Sequence, residues 1–256
     1  VKNVPPEDPA QFRAIRSILK GHLVAWDPVA QREVWRAQYD GPWNGGALAT
    51  AGNLVFQGNA NGQFQAFNAT DGKRLWAFDA QTGVIAGPVT YEVGGRQYVA
   101  VMAGYGGAYP LSSAFVDNPQ PPRNGRVLVF RLGGEAALPA ATPIRLAPAN
   151  PPAELFTPAV LTAGRQLYEG NCSVCHGPAG RSSGVLPDLR RSGALADKQL
   201  WQDVVIGGAL KDRGMVSFAK WITPEQAESL RAYIGDHARK LQAAESGAKP
   251  ARVAPT

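Results

Sequence analysis

The chain has 256 residues, 26 Lys and Arg against 20 Asp and Glu, a formal net charge of +6, 45% apolar side chains and two cysteines. Its length allows one large domain or two modest ones, each able to bury a core. The charge excess is +3 in residues 1–134 and +3 in residues 135–256, so no basic run argues for nucleic acid, and no stretch reaches the about 18 apolar residues of a transmembrane segment.

Residues 1–20 are polar and mixed, with Pro5, Pro6 and Pro9 ahead of a short helical pattern of Phe12, Ile15, Ile18 and Leu19 that reads as a connector. From Gly21 onward the texture changes to short β-like runs separated by glycine and asparagine turns. One run repeats. Ala25, Trp26, Asp27 and Trp35 recur as Ala66, Phe67, Asn68 and Trp76, each at an offset of 41 residues, within the span of one propeller blade. A strand, a turn in which Asp or Asn bonds the backbone, and a second strand ending in tryptophan predict an indole wedged between neighbouring blades. Two unrelated hairpins ending in an aromatic are the plainer alternative. Met102 lies in the apolar run Tyr98–Ala103 and reads as a core strand residue, and residues 125–132 read as a last strand of this β region. Residues 135–157 are rich in alanine and carry Pro139, Pro143, Pro148, Pro151 and Pro152, which predicts an extended linker. Residues 1–134 hold about three blades at ~40 to 45 residues each, fewer than the ~4 a closed ring needs.

The chemistry lies beyond the linker, in Cys172-Ser173-Val174-Cys175-His176. Cys-x-x-Cys-His attaches a c-type haem: the two thiols add to its vinyl groups and His176 becomes the axial ligand. A zinc site would need two more ligands, and only His22 and His237 remain, at no sensible spacing. A thioredoxin-like site would need a βαβ context that these residues do not offer. Gly164, Tyr168 and Cys172 fall four apart on one helical face, a small residue there allowing a second helix to cross closely. Thr223-Pro224-Glu225-Gln226 reads as a capped helix start, followed by Ala227, Leu230, Tyr233 and Ile234 on one stripe. Met215, in the loop before that helix, is the candidate second axial ligand, and Arg190 is either a partner for a haem propionate or a solvated surface arginine. Residues 242–256 read as a disordered tail.

The tryptophan repeat, the glycine-rich runs Trp43-Asn44-Gly45-Gly46 and Gly104-Tyr105-Gly106-Gly107-Ala108, and the C-terminal haem motif together resemble the type II quinohaemoprotein alcohol dehydrogenases. The resemblance covers residues 21 to about 240. It implies a multidomain chain: an all-β partial propeller over 1–134, the last blades of an eight-bladed ring that binds pyrroloquinoline quinone (PQQ) and calcium; the linker 135–157; and an all-α class I cytochrome c domain over 158–241. Asn44, Gly107 and Ala108 match segments near the quinone, as contacts that glycine-rich backbone makes to a flat ligand; blade turns are the other use for such glycines. The family's catalytic aspartate and calcium ligands belong to earlier blades, so no catalytic residue is named, and the chain is expected to be inactive alone. The expected setting is periplasmic, with a small alcohol as substrate and a blue copper protein, a soluble cytochrome or a membrane quinone chain as electron acceptor. A start at Val1 without a signal peptide fits a mature or truncated chain. The rival is a stand-alone c-type cytochrome with a β docking domain and no quinone.

Overall fold

The structure, a computed structural model, describes residues 9–105, 125–141, 145–181 and 186–247. The chain divides into two compact units, residues 8–144 and, apart from a short N-terminal piece, residues 145–256.

In the first unit, α1 (Pro9–Ile18) leads into nine strands: β1 (Gly21–Asp27), β2 (Arg32–Tyr39), β3 (Asn44–Ala49), β4 (Leu54–Asn59), β5 (Gln63–Asn68), β6 (Arg74–Asp79), β7 (Val89–Val93), β8 (Arg96–Ala103) and β9 (Arg126–Phe130). They form three antiparallel sheets, β1-β2, β3-β4-β5-β6 and β7-β8-β9. The repeat occupies the hairpins β1-β2 and β5-β6, and it extends to an irregularity that composition does not show. The register slips between Ala25 and Trp26 in one and between Ala66 and Phe67 in the other, at the same place in the repeat. Asp27 Oδ1 accepts from Val29 N and Ala30 N, and Asn68 Oδ1 accepts from Thr70 N, the turn chemistry expected of those positions.

Sheets stack through apolar faces. Leu23, Trp35 and Tyr39 pack on Phe67 of the four-stranded sheet, whose opposite side buries Phe64 with Val99, Val101 and Leu128 of the third. Burying a side chain such as Phe64 contributes about 1.5–3 kcal/mol. Both repeat tryptophans span sheets as predicted. Trp35 Nε1 donates to Ala69 O at 2.8 Å, and its ring lies where a Cβ on Gly72 (φ +71°) would meet it at 2.5 Å. Trp76 meets Phe130 of β9 edge-on at 5.2 Å. The expectation for Met102 fails: it is in β8, but 65% exposed. Strand residues alternate faces, and it shares the outer face with Val127 while Val101 and Ala103 take the core.

The second unit is helical: α2 (Pro158–Asn171), the single turn α3 (Ser173–His176), α4 (Lys198–Val205) and α5 (Pro224–Glu245). Thr157 caps α2 with Pro158 in its first turn, and both halves of the Thr223/Gln226 capping box are formed on α5. Helices α2 and α5 cross at Gly164, where a Cβ would lie 2.0 Å from Ser229 O; only glycine fits that crossing. Tyr168, Leu195, Trp201, Ile222, Ala227, Leu230, Tyr233 and Ile234 form the core. Helix α4, which no sequence pattern singled out, joins it through Trp201, whose Nε1 donates to Ala227 O at 2.7 Å.

Two features depart from the expectations. Helix α5 continues to Glu245, past the start of the presumed tail. The segment 145–157 has no helix or strand, yet its side is stitched down. Arg239 Nη2 donates to Pro152 O (2.6 Å) and Glu154 O (2.9 Å), Asn150 N donates to Arg190 O (3.3 Å), and Arg191 Nη1 donates to Ala147 O (2.7 Å). Pro152 is fully buried on α5, at a place where a Cβ on Gly235 would strike its ring at 2.6 Å.

Candidate haem-binding site

Helix α2 delivers the motif. Its last turn passes directly into α3, with Cys172 N donating to Tyr168 O (2.8 Å) and His176 N to Cys172 O (3.0 Å). One helical turn therefore holds both thiols and the imidazole. Neither cysteine is bonded to another; Cys175 is exposed, whereas Cys172 is half-buried against the core and its thiol is pushed up to about 12 by burial and then by Cys175.

After His176 the chain must turn sharply, and the residues there make that possible. Gly177 and Gly180 have φ of +70° and +75°, and Ala179 is held at +54°, a strained value for a residue with a side chain. The turn is clamped by Tyr168, 1% exposed, whose hydroxyl donates to Gly177 O (2.6 Å) and accepts from Gly180 N (3.0 Å). Burial pushes the Tyr168 phenol well above its ordinary range, so it stays a neutral donor. The sequence marked Tyr168 as an aromatic on the Cys172 face; it did not reveal this use of the hydroxyl.

His176 is buried, 8% exposed, and its Nδ1 bonds Pro187 O at 3.3 Å. Burial lowers its pKa, with the Pro187 bond acting in the opposite direction, so the ring is neutral at pH 7. A neutral imidazole held through Nδ1 presents Nε2 as a metal ligand, and the second bond fixes its tautomer and orientation. Pro187 is the functional group that sequence reasoning missed, because a backbone carbonyl leaves no side-chain signature. Arg190, by contrast, is turned inward on its own loop: Nε and Nη2 fork onto Asp188 at 2.9 and 2.5 Å.

Met215 is half-buried just after the short helical turn Lys211–Arg213. Its segment is tied to α4 by Ser217 Oγ donating to Ile206 O and Phe218 N donating to Val205 O (2.8 Å). Phe218 of that segment and Cys172 both pack against the core of this unit. Among the described residues, no group of three or more His, Cys, Asp or Glu could hold a metal ion. The pentad itself offers two thiols and one buried imidazole, the donor set that a covalently held haem uses.

In the β unit, Asn44 opens β3, and its Oδ1 is buried without a hydrogen-bond partner among the described residues. Trp43 beside it has φ +66° and is 43% exposed. Tyr39 Oη donates to Gln57 Oε1, and Gln57 Nε2 donates to Gly45 O, both at 2.8 Å, which fixes the start of β3 from behind. The orphaned Oδ1 fits a polar ligand group. The glycines have another reason: Cβ atoms on Gly45 and Gly46 would lie 2.8 Å from Ala86 O and from Gly87 Cα. They allow β3 to pass close to the chain at Ala86 and Gly87. Gly107 and Ala108 lie outside the described residues.

Comparisons with known proteins agree on both units. Residues 21–99 match the family described as glucose/ethanol/alcohol dehydrogenase, beta-propeller domain, and residues 159–234 match cytochrome c oxidase, cbb3-type, subunit III. Quinohemoprotein alcohol dehydrogenase ADH IIB of Pseudomonas putida is 46% identical over 85% of this chain and 32% of its own length. The dehydrogenase subunit of the Acetobacter aceti alcohol dehydrogenase (quinone) is 43% identical over 91% of this chain and 32% of its own. The solved quinohemoprotein alcohol dehydrogenase ADHIIG of Pseudomonas putida superposes with a TM-score of 0.80 at 42% identity, covering 90% of this chain and 33% of that one. The chain spans about a third of the length of these curated relatives. In sequence and in fold it is the counterpart of the C-terminal portion of the quinohaemoprotein alcohol dehydrogenases, the last propeller blades followed by a cytochrome c domain.

Proposed function

We propose that this chain is the electron-exit portion of a periplasmic PQQ-dependent alcohol dehydrogenase, passing electrons released by alcohol oxidation through a covalent haem c to an external acceptor. The observation that carries this is His176: buried, neutral, bonded through Nδ1 to Pro187 O, and adjacent in one helical turn to Cys172 and Cys175. When bound, PQQ with calcium supplies a two-electron couple and haem c a one-electron couple, and the chemistry of both belongs to the cofactors.

The residues of this chain bind and orient. Cys172 and Cys175 would anchor the porphyrin through thioether bonds, and His176 Nε2 and the Met215 thioether would serve as iron ligands. A His/Met pair raises the potential of the iron relative to two nitrogen ligands, which favours electron acceptance. Tyr168 keeps the turn behind His176 closed. The buried unpartnered Oδ1 of Asn44 supports it as the residue that would receive a polar group of the quinone; Gly107 and Ala108 are further candidates from the sequence. The substrate is a small alcohol, and the acceptor is a blue copper protein, a soluble cytochrome or a membrane quinone chain. No general base is assigned among the described residues, and that role falls to the two thirds of the relatives' length that this chain does not span.

Pyridine haemochrome spectra of the protein expressed in a periplasm test the haem assignment, with a covalently bound c-type signal expected. Met215→Ala should abolish the optical signature of thioether ligation while leaving the haem attached; its retention removes Met215 as a ligand. Dye-linked alcohol oxidation should be absent in the isolated 256-residue chain and present in the longer protein.

A further inference from the structure

We infer that Arg191 is a positioning residue for the axial histidine, and that the linker segment 147–150 is the other half of the device it works through. This rests on the haem reading above and concerns how His176 is kept in place.

The orientation of His176 depends on one backbone carbonyl, that of Pro187. A carbonyl is only as well fixed as its loop, and the residues after Pro187 supply several of this loop's anchors. Asp188 caps the short turn Leu189–Arg191 by accepting from Arg190 N, and it also takes the Arg190 fork. These bonds stiffen the loop but tie it to nothing outside itself. The external ties come next. Arg190 O accepts from Asn150 N, and Arg191 sends Nη1 to Ala147 O (2.7 Å) and Nη2 to Glu245 at the end of α5 (2.5 Å). Leu189, between the two ends, packs at the core margin.

The side chain of Arg191 is only 13% exposed, and its buried Nε has no partner among the described residues. Desolvating a guanidinium with a donor left over is unfavourable unless the remaining bonds do something solvent cannot. Here they join three separate segments, residues 147–150, the loop carrying Pro187 and the last turn of α5. The loop that carries the Pro187 carbonyl is therefore tied, through Arg191, to residues 147–150 and to the end of α5.

The consequence for the haem has a definite sign. The bond from Nδ1–H to a carbonyl makes the imidazole a stronger electron donor and stabilises ferric iron. Releasing the loop weakens that bond, so the midpoint potential should rise.

The test uses the haem-loaded chain with Arg191→Ala, Arg191→Lys and, as a control, Arg239→Ala. Two quantities are read: the solvent-exchange rate of the His176 ring N–H in the reduced state by 15N-edited NMR, and the midpoint potential. Arg191→Ala should speed ring N–H exchange by about ten-fold, the equivalent of one lost hydrogen bond, and raise the potential. Arg191→Lys, which keeps a charge for Glu245 and one donor for Ala147, should fall between it and the parent. Arg239→Ala should lower the melting temperature while leaving both readings at the parent values. The inference is overturned if Arg191→Ala, or Arg191→Lys should the alanine variant not accumulate, shows parental exchange and potential. It is equally overturned if Arg239→Ala moves both readings as much. A chain purified without covalent haem would overturn the haem reading instead.

Discussion

Tyr168 shows how one hydroxyl decides local geometry. It satisfies a buried carbonyl and a buried N–H on either side of a turn that contains a left-handed alanine. Tyr168→Phe removes only the oxygen, leaving Gly177 O and Gly180 N without that partner in a dry site; the expected cost is about 1–3 kcal/mol, read from denaturant unfolding of the haem-loaded chain. Haem attachment itself should survive, because both thiols and His176 are untouched. The cysteine pentad was legible from sequence because covalent attachment demands side chains at fixed spacing. Pro187 and the Tyr168 hydroxyl were not, since they act through backbone atoms whose partners are set by folding. Arg190, read as either a propionate partner or a solvated surface arginine, is not the latter: its side chain is 12% exposed and forks onto its neighbour Asp188.

At the scale of elements, the repeat was legible because a strand-turn-strand unit needs particular side chains at particular places: an Asx turn, then a tryptophan. Its register slip was not, because a bulge is a property of pairing. Trp35 tests the role of the repeat. Trp35→Phe keeps a ring above Gly72 but loses the bond to Ala69 O, an expected cost of about 1 kcal/mol. Trp35→Ala also empties the space between sheets and should cost about 3–5 kcal/mol. Both are measurable by chemical denaturation, and equal effects would show that the indole bond, rather than the wedge, carries the contact. Helix α4 escaped the sequence reading because its eight residues offer barely two turns of pattern. Its apolar positions became meaningful only with Ala227 opposite Trp201.

The third sheet turns one face to the core and leaves Val89, Val93, Met102, Val127 and Val129 on the other, all more than half exposed. Met102 was misread for this reason: the alternation of the strand was visible, but which face was covered was not. A face of this kind is a site of association. The isolated chain should bind a hydrophobic dye there and self-associate as concentration rises. Val127→Lys together with Val129→Lys should reduce dye binding several-fold without unfolding the unit, as judged by near-ultraviolet circular dichroism. Unchanged dye binding would place the sticky surface elsewhere.

The stitched segment before α2 alters where the cytochrome ought to be cut free. A pattern-based boundary falls at Pro158, where helical periodicity begins, yet that excision would discard Pro152 from its seat on Gly235 and strip Arg191 and Arg239 of their acceptors. A protease that severs the chain between 135 and 141 should therefore liberate a haem fragment that keeps its melting temperature, while one begun at Pro158 should melt lower. The tether carries its own terminus into the body it serves, and residues 145–157, ahead of α2, behave as cytochrome rather than as rope.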